Sequence, residues 1–209
     1  VILLDCCNAG ICVSIKEVFS HQSDSKHEPL IYRIDSADRL CYINEVWQDA
    51  ARQGQFDGVK AEHVLGKSLW DSVIDGNVRA LYAQMIAHAR LGQPVGFNYR
   101  CDTPILRRTY AMTISRLPGD EVEFASVLVR QESRPAVAIL QTDHARHEEK
   151  FIRVCSWCQS VALPSGDWVP VEDAVNKLDL MGDEKLPRLT HGICEACALS
   201  MNQKLNALL

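Results

Sequence analysis

The chain has 209 residues, a formal net charge of −5 and nine cysteines. That length suffices for one ordinary domain plus a small second unit. The acidic balance argues against a general nucleic-acid surface or an anionic-membrane surface, since both need clustered lysine and arginine, and Arg107-Arg108 is too short a basic spot to change this. No apolar run is long enough to cross a bilayer, and the opening Val1-Ile2-Leu3-Leu4 is interrupted by Asp5 and lacks a basic flank, so it reads as a poor signal peptide. The expected compartment is the cytoplasm. There the odd cysteine count fits reduced thiols better than a disulfide scaffold.

Residues 1–28 show no clear period and end in the polar run His21-Gln22-Ser23-Asp24-Ser25-Lys26-His27. They read as a poorly ordered leader, with Cys6, Cys7 and Cys12 as incidental cysteines. From Leu30 the pattern changes. Two short β-type runs, 30–34 and 40–43, flank the turn residues Asp35 to Asp38 and predict a hairpin. A polar helix-prone stretch covers 44–53, and a glycine-containing loop passes through Gly54, Gly58 and Gly66.

Asn77 can cap a helix in which Val78, Leu81, Tyr82, Met85, Ile86 and Ala89 recur at helical spacing, ending at Gly92-Gln93-Pro94. Beyond the proline, Val95, Phe97, Tyr99 and Cys101 alternate with small or polar residues. Tyr110, Met112 and Ile114 do the same, and a third apolar run covers 124–129. These are three consecutive strands. Together with the hairpin they predict an α+β unit at 29–131, a five-stranded antiparallel sheet with helices on one face.

Residues 132–151 read as a linker. Ser133-Arg134-Pro135 ends the sheet, Val137 to Leu140 is a short apolar run, and Asp143 to Lys150 is charged and helix-prone. Residues 152–209 read as a second unit built on Cys155-Ser-Trp-Cys158 and Cys194-Glu-Ala-Cys197. Each C-x-x-C pair can present two sulfurs on a tight turn, and two such hooks complete the tetrahedral set that Zn²⁺ prefers. A structural Zn²⁺ on Cys155, Cys158, Cys194 and Cys197 is therefore expected. His191 is either a fourth ligand in place of one cysteine or a hydrogen-bond partner nearby. Helices are expected over 170–180 and over 196–209, the second placing Cys194 and Cys197 at its positive end. The first, with Trp168, has little apolar surface of its own, so metal is expected to supply much of this unit's stability.

Ala61-Glu-His-Val-Leu-Gly-Lys-Ser68 lacks the first glycine of a phosphate loop and has no strand feeding it. Neither C-x-x-C precedes a histidine, as covalent haem attachment requires, and neither follows the proline of a zinc deaminase. His144 and His147-Glu148-Glu149 read as a solvated charged face. No nucleophile-base arrangement emerges, and an enzyme is not expected.

Tyr32-Arg33-Ile34-Asp35 leading to Tyr42-Ile43-Asn44, the turn Val64-Leu65-Gly66-Lys67-Ser68-Leu69-Trp70, and the strand Phe97-Asn98-Tyr99-Arg100-Cys101-Asp102 together resemble a PAS domain across residues 28–131. The segment Cys-x-Trp-Cys, a turn at Gly166 and Trp168, a short acidic helix and His-Gly-Ile-Cys-x-x-Cys resembles one that follows PAS or receiver modules in bacterial signalling proteins. The resemblance implies a sensory or adaptor role in signal transduction, with a ligand or a protein partner received between sheet and long helix. Residues 62–76 contain no cysteine for flavin photochemistry of the LOV type, and His88 borders the apolar face where haem-binding relatives place a ligand. The candidate pocket residues are Trp47, Leu81, Tyr82, Met85, Phe97, Tyr99 and Met112, which are first of all core formers. The resemblance leaves room for a homodimer through the PAS-like unit. Two alternatives stand beside it: a thiol redox switch using the C-x-x-C pairs, and a protein-binding module with no small-molecule ligand.

Overall fold

The computed structural model describes residues 28–53, 61–141, 145–180 and 185–208. The leader with Cys6, Cys7 and Cys12, the loop glycines Gly54 and Gly58, and His144 lie outside the described residues.

Strands β1 (Leu30–Ile34) and β2 (Leu40–Ile43) form the expected hairpin. Its turn is held by Asp35, whose Oδ1 accepts from the amides of Ala37 and Arg39 at 2.9 Å each, and Asp38 takes a positive φ of 58° that a short polar side chain tolerates. Asn44 then caps α1 (Glu45–Gln53): its Oδ1 accepts from Trp47 N and from Ile31 N, which fixes the helix against β1 and turns Trp47 inward. A single turn, α2 (Ala61–Val64), and a 3₁₀ turn at Leu69–Asp71 lead to the long helix α3 (Gly76–Arg90).

The residues that recur at helical spacing in α3 are the ones it buries: Val78, Leu81, Tyr82, Met85, Ile86 and Ala89. Its cap is Asp75 and not Asn77. The Asp75 carboxylate accepts from Asn77 N and Val78 N at 3.0 Å, so Asn77 falls inside the first turn.

Strands β3 (Val95–Arg100), β4 (Leu106–Arg116) and β5 (Val122–Ser133) complete an antiparallel sheet in the order β2-β1-β5-β4-β3. Alternation places Tyr32, Ile34, Val95, Phe97, Tyr99, Met112, Ile114, Val122 and Phe124 on one buried face, and α3 packs on that face. This is the α+β arrangement, a five-stranded antiparallel sheet with helices on one face, that the sequence predicts.

The chain does not pass to its second part through a plain charged helix. Residues 146–155 form strand β6 (Arg146–Cys155), so the helix expected near Asp143 to Lys150 is absent from the described part of that stretch. Pairing on either side decides this: β6 lies parallel to β9 (Leu186–Gly192), with Arg146 opposite Leu186 and Phe151 to Cys155 opposite Arg188 to Gly192, and antiparallel to β7 (Val161–Ala162), so that residues 147–150 are carried as an irregularity between paired segments. With β8 (Trp168–Val169) these strands form a second sheet in the order β8-β7-β6-β9. Helix α4 (Val171–Lys177) covers it, and α5 (Glu195–Asn206) follows β9.

Two cores result. Val137, Ile139 and Leu140 pack with Ile152, Val154, Val161, Val171, Ala174 and Leu189 in the second, so the apolar run ahead of β6 belongs to a core, and this part of the chain buries more apolar surface than α4 and Trp168 alone would provide. The first core holds the inner face of the five-stranded sheet and also Cys155, Trp157, Ile193, Cys194, Met201 and Leu205. The cysteine segment therefore closes the core of the larger sheet.

Candidate metal centre

The parallel pairing of β6 with β9 builds this site. Val154 pairs with His191 and Cys155 with Gly192, so both strands stop at one edge and both hooks open from it. The first hook turns from Cys155 back into β7: Gln159 N donates to Cys155 O at 3.0 Å, Cys155 N donates to Ser160 O at 2.7 Å, and Gln159 sits at a φ of 62°, the left-handed conformation a reversal this tight needs. The second hook is a helix start. Cys194 occupies the cap position of α5 with extended backbone angles, and Cys197 lies in its first turn.

The four sulfurs all lie within 4.8 Å of one another, and Cys158 Sγ is 3.7 Å from Cys194 Sγ. A Zn–S distance of about 2.3 Å in tetrahedral geometry gives an S···S edge of roughly 3.8 Å, so the spacing and the donor set both fit a soft divalent cation. Donors already point at the sulfurs. The Cys194 amide donates to Cys155 Sγ at 3.4 Å and the positive end of α5 faces the cluster, while the Cys158 thiol donates to Ser160 Oγ at 3.2 Å.

The thiols hydrogen-bond among themselves. Bonding to Cys155, then to Cys197 and Ser160, holds the Cys158 thiol far below its ordinary range, whereas the same bond to Cys158 pushes Cys155 up to about 12, and bonds to Cys155 and Cys158 push Cys197 up as well. A bound cation would take the place of the protons these thiols share.

His191 is not part of this cluster. Both ring nitrogens are buried without a hydrogen-bond partner, and desolvation lowers its pKa to about 4, so the ring is neutral at ordinary pH. The hydrogen bond from His191 to a sulfur that accompanies the four-sulfur expectation is not formed.

The hooks are tied to the larger sheet. Edge strand β3 gives the Arg100 amide to Trp157 O at 2.8 Å, and the Arg100 guanidinium donates to Cys158 O at 3.1 Å. The Trp157 ring packs 5.8 Å from Tyr82 and 5.7 Å from Phe97, centroid to centroid. Arg153 reaches from β6 to Asp75, the cap of α3, at 3.0 Å, and its side chain lies across Gly192 so closely that a Cβ there would meet Nε at 2.2 Å. At the far end of α5, Gln93 Nε2 donates to Leu208 O, while Gln93 Oε1 lies 2.8 Å from Nδ1 of the half-buried His88.

A charged cluster makes another tie. Fully buried Asp102 accepts from the Arg108 amide at 3.0 Å and from Arg134 at 2.9 Å, and it also pairs with Arg100. Glu172 at the start of α4 accepts from Arg100 at 3.1 Å, Arg107 at 2.5 Å and Arg134 at 2.8 Å. Burial alone would raise its pKa, but the Arg107 hydrogen bond and the charges of Arg100 and Arg134 win and hold it at about 2. Sequence reading did not single out Arg100, Arg153 or Glu172, because each acts on a partner far along the chain.

The seven candidate pocket residues, Trp47, Leu81, Tyr82, Met85, Phe97, Tyr99 and Met112, all lie in the first core and are between 0 and 6 % exposed. Tyr99 donates to Ser126 Oγ at 3.0 Å, and burial raises the hydroxyl pKa values of Tyr82 and Tyr99 well above their ordinary value.

No family model matches the chain, and no curated protein matches it. Among solved structures it is similar to the PAS domain of BvgS from Bordetella pertussis, at 17% identity and a TM-score of 0.34, over 49% of this chain and 72% of that one. No helix among the described residues is long and apolar enough to cross a membrane.

Proposed function

We propose that this chain is a cytoplasmic sensory or adaptor protein in signal transduction, in which a PAS-like unit is coupled to an interaction module stabilised by Zn²⁺ on Cys155, Cys158, Cys194 and Cys197. Four thiolates leave no open coordination position, so the metal's part is structural: it neutralises the sulfurs and fixes the two hooks against each other. The observation that carries the reading is the bond from Arg100 N to Trp157 O. It joins an edge strand of the sheet to the residue between two cysteines, so that a displacement of β3 moves a hook. The input is assigned to a protein partner ahead of a small molecule, because the space between sheet and helix is occupied by the seven side chains named above. A homodimer through the PAS-like unit belongs to the same reading, which assigns no catalytic step.

The test is native mass spectrometry with elemental analysis of freshly purified, reduced protein, followed by hydrogen exchange before and after chelation. One zinc per chain is expected, with joint loss of amide protection in β3 and α5 when it is removed. Stoichiometric absence of zinc would defeat the metal centre. Unchanged exchange in β3 after zinc removal would defeat the coupling.

A further inference from the structure

The four sulfurs are unequally screened. Cys155 is fully buried and Cys194 is 5 % exposed, whereas Cys158 and Cys197 are half-buried. The two outer sulfurs belong to different hooks, and both line a depression of about 220 Å³ between β3 and α5. Its apolar wall includes Trp157 and Met201, its rim Ser200 and Lys204. Taking about 30 Å³ per water, that volume admits a peroxide molecule with several waters. Cys197, Ser200 and Lys204 recur at helical spacing, so the Lys204 ammonium shares one face of α5 with the Cys197 sulfur.

We propose that Cys158 and Cys197 are a peroxide-oxidisable pair, reached through this depression, whose disulfide expels the metal while Cys155 and Cys194 stay in the core and keep the junction folded. The proposal rests on the four-sulfur reading above and adds to it which two sulfurs react. One of the two thiolates attacks a peroxide oxygen; the O–O bond breaks, a sulfenic acid forms, and the departing hydroxide is protonated to water. The other thiolate attacks that sulfur; an S–S bond forms, the S–O bond breaks, and a second hydroxide leaves as water. Two thiolates together give up two electrons, and hydrogen peroxide with two protons becomes two waters. The Lys204 ammonium at the rim stabilises the hydroxide that leaves.

Burial selects this pair over closure within a hook. Either in-hook disulfide would use a buried sulfur, and Cys155 Sγ is already engaged by the Cys194 amide. The outer sulfurs lie within 4.8 Å of each other and need to approach to about 2.05 Å, a movement that brings Cys158 and α5 together. The metal keeps two of four donors and is lost. Trp157, Ile193 and Met201 remain packed in the first core.

The experiment uses the full chain loaded with zinc and titrated with hydrogen peroxide. Free thiols are alkylated, non-reduced peptides are mapped by mass spectrometry, and released zinc is followed with a metal-binding dye alongside far-ultraviolet circular dichroism. The expected result is a Cys158–Cys197 cross-linked peptide, one zinc released per disulfide, and an unchanged dichroism spectrum. Ser200→Trp, an exposed rim change outside the sulfur set, should slow the reaction several-fold without altering zinc content, and an unchanged rate would overturn the depression as the route. A metallated chain that forms Cys155–Cys158 or Cys194–Cys197, or keeps its zinc while only Cys41 reacts, overturns the pair and leaves the metal centre standing. A chain without zinc before peroxide is added overturns the centre and the switch with it.

Discussion

Arg100 and Trp157 meet where an edge of the sheet would otherwise present free backbone groups: the Arg100 amide donates to the Trp157 carbonyl at 2.8 Å, and the indole turns into the sheet's own core beside Tyr82 and Phe97. The residue between the first two cysteines is thus held by backbone on one side and by aromatic packing on the other. Edge strands left unpaired are sites of association, and this contact covers part of one.

Trp157→Ala should lower the unfolding free energy by about 3 to 5 kcal/mol, the range for removing a large buried aromatic side chain. It should also weaken zinc retention, since the turn loses its anchor in the core. Urea denaturation and a chelator competition measure the two effects. A stability loss below about 1 kcal/mol would mean that the indole is not part of the core.

Leu81→Ala should cost roughly 2 to 5 kcal/mol, because Leu81 is 4 % exposed on the face of α3 that meets the sheet. Zinc content should be unchanged, since Leu81 is outside the four-sulfur set and its truncation loosens the packing of α3 on the sheet. Equilibrium denaturation with metal analysis on the same sample decides the matter.

Gly192→Ala would place a methyl group 2.2 Å from Arg153 Nε. The guanidinium can swing away, but it then leaves Asp75 and the Trp168 ring, which it approaches to 5.9 Å. The expected cost is about 1 kcal/mol, typical of a partly exposed pair and its packing. In an Arg153→Ala background the same change should cost close to nothing. A double-mutant cycle without such coupling would show that the glycine serves some other contact.

Glu172 gives the chain a pH signature. Its folded pKa is depressed to about 2 from an ordinary value of 4.5, so the unfolded chain takes up the proton first as pH falls. The contribution is complete above about pH 4.5 and is lost progressively between 4.5 and 2. Glu172→Gln should therefore be less stable than the parent chain near pH 6, with the gap closing as pH drops through that window. Denaturant titrations of both proteins at matched pH values measure it, and a gap independent of pH would show that the arginines do not hold the carboxylate charged.

Much of this was legible in the sequence because it is local. Alternation at Val95, Phe97 and Tyr99 marks a strand with one buried face, the recurrence from Val78 to Ala89 marks the long helix, and C-x-x-C spacing marks each hook. What stayed hidden depends on distant partners. Nothing between 146 and 150 announces a strand, because β6 is held at Arg146 and from Phe151 onward by β9 some forty residues on. The convergence of the hooks comes from that same parallel register, and the burial of Trp157 from a helix and a strand that precede it in the chain. Even the cap of α3 turned on tertiary need, since Asp75 serves the helix with one carboxylate oxygen and Arg153 with the other.

Met201 and Leu205 belong to a core that also holds Tyr32, far earlier in the chain. A ribosome releasing this chain would expose β3 and α3 long before α5 is made, so the inner face of the sheet stays partly uncovered through much of synthesis. Contacts this remote in sequence form slowly and leave apolar surface open to misassociation in the meantime. On the proposed zinc reading, delivery of the metal to the emerging hooks would bear on the yield of correctly folded chains as well as on their final stability.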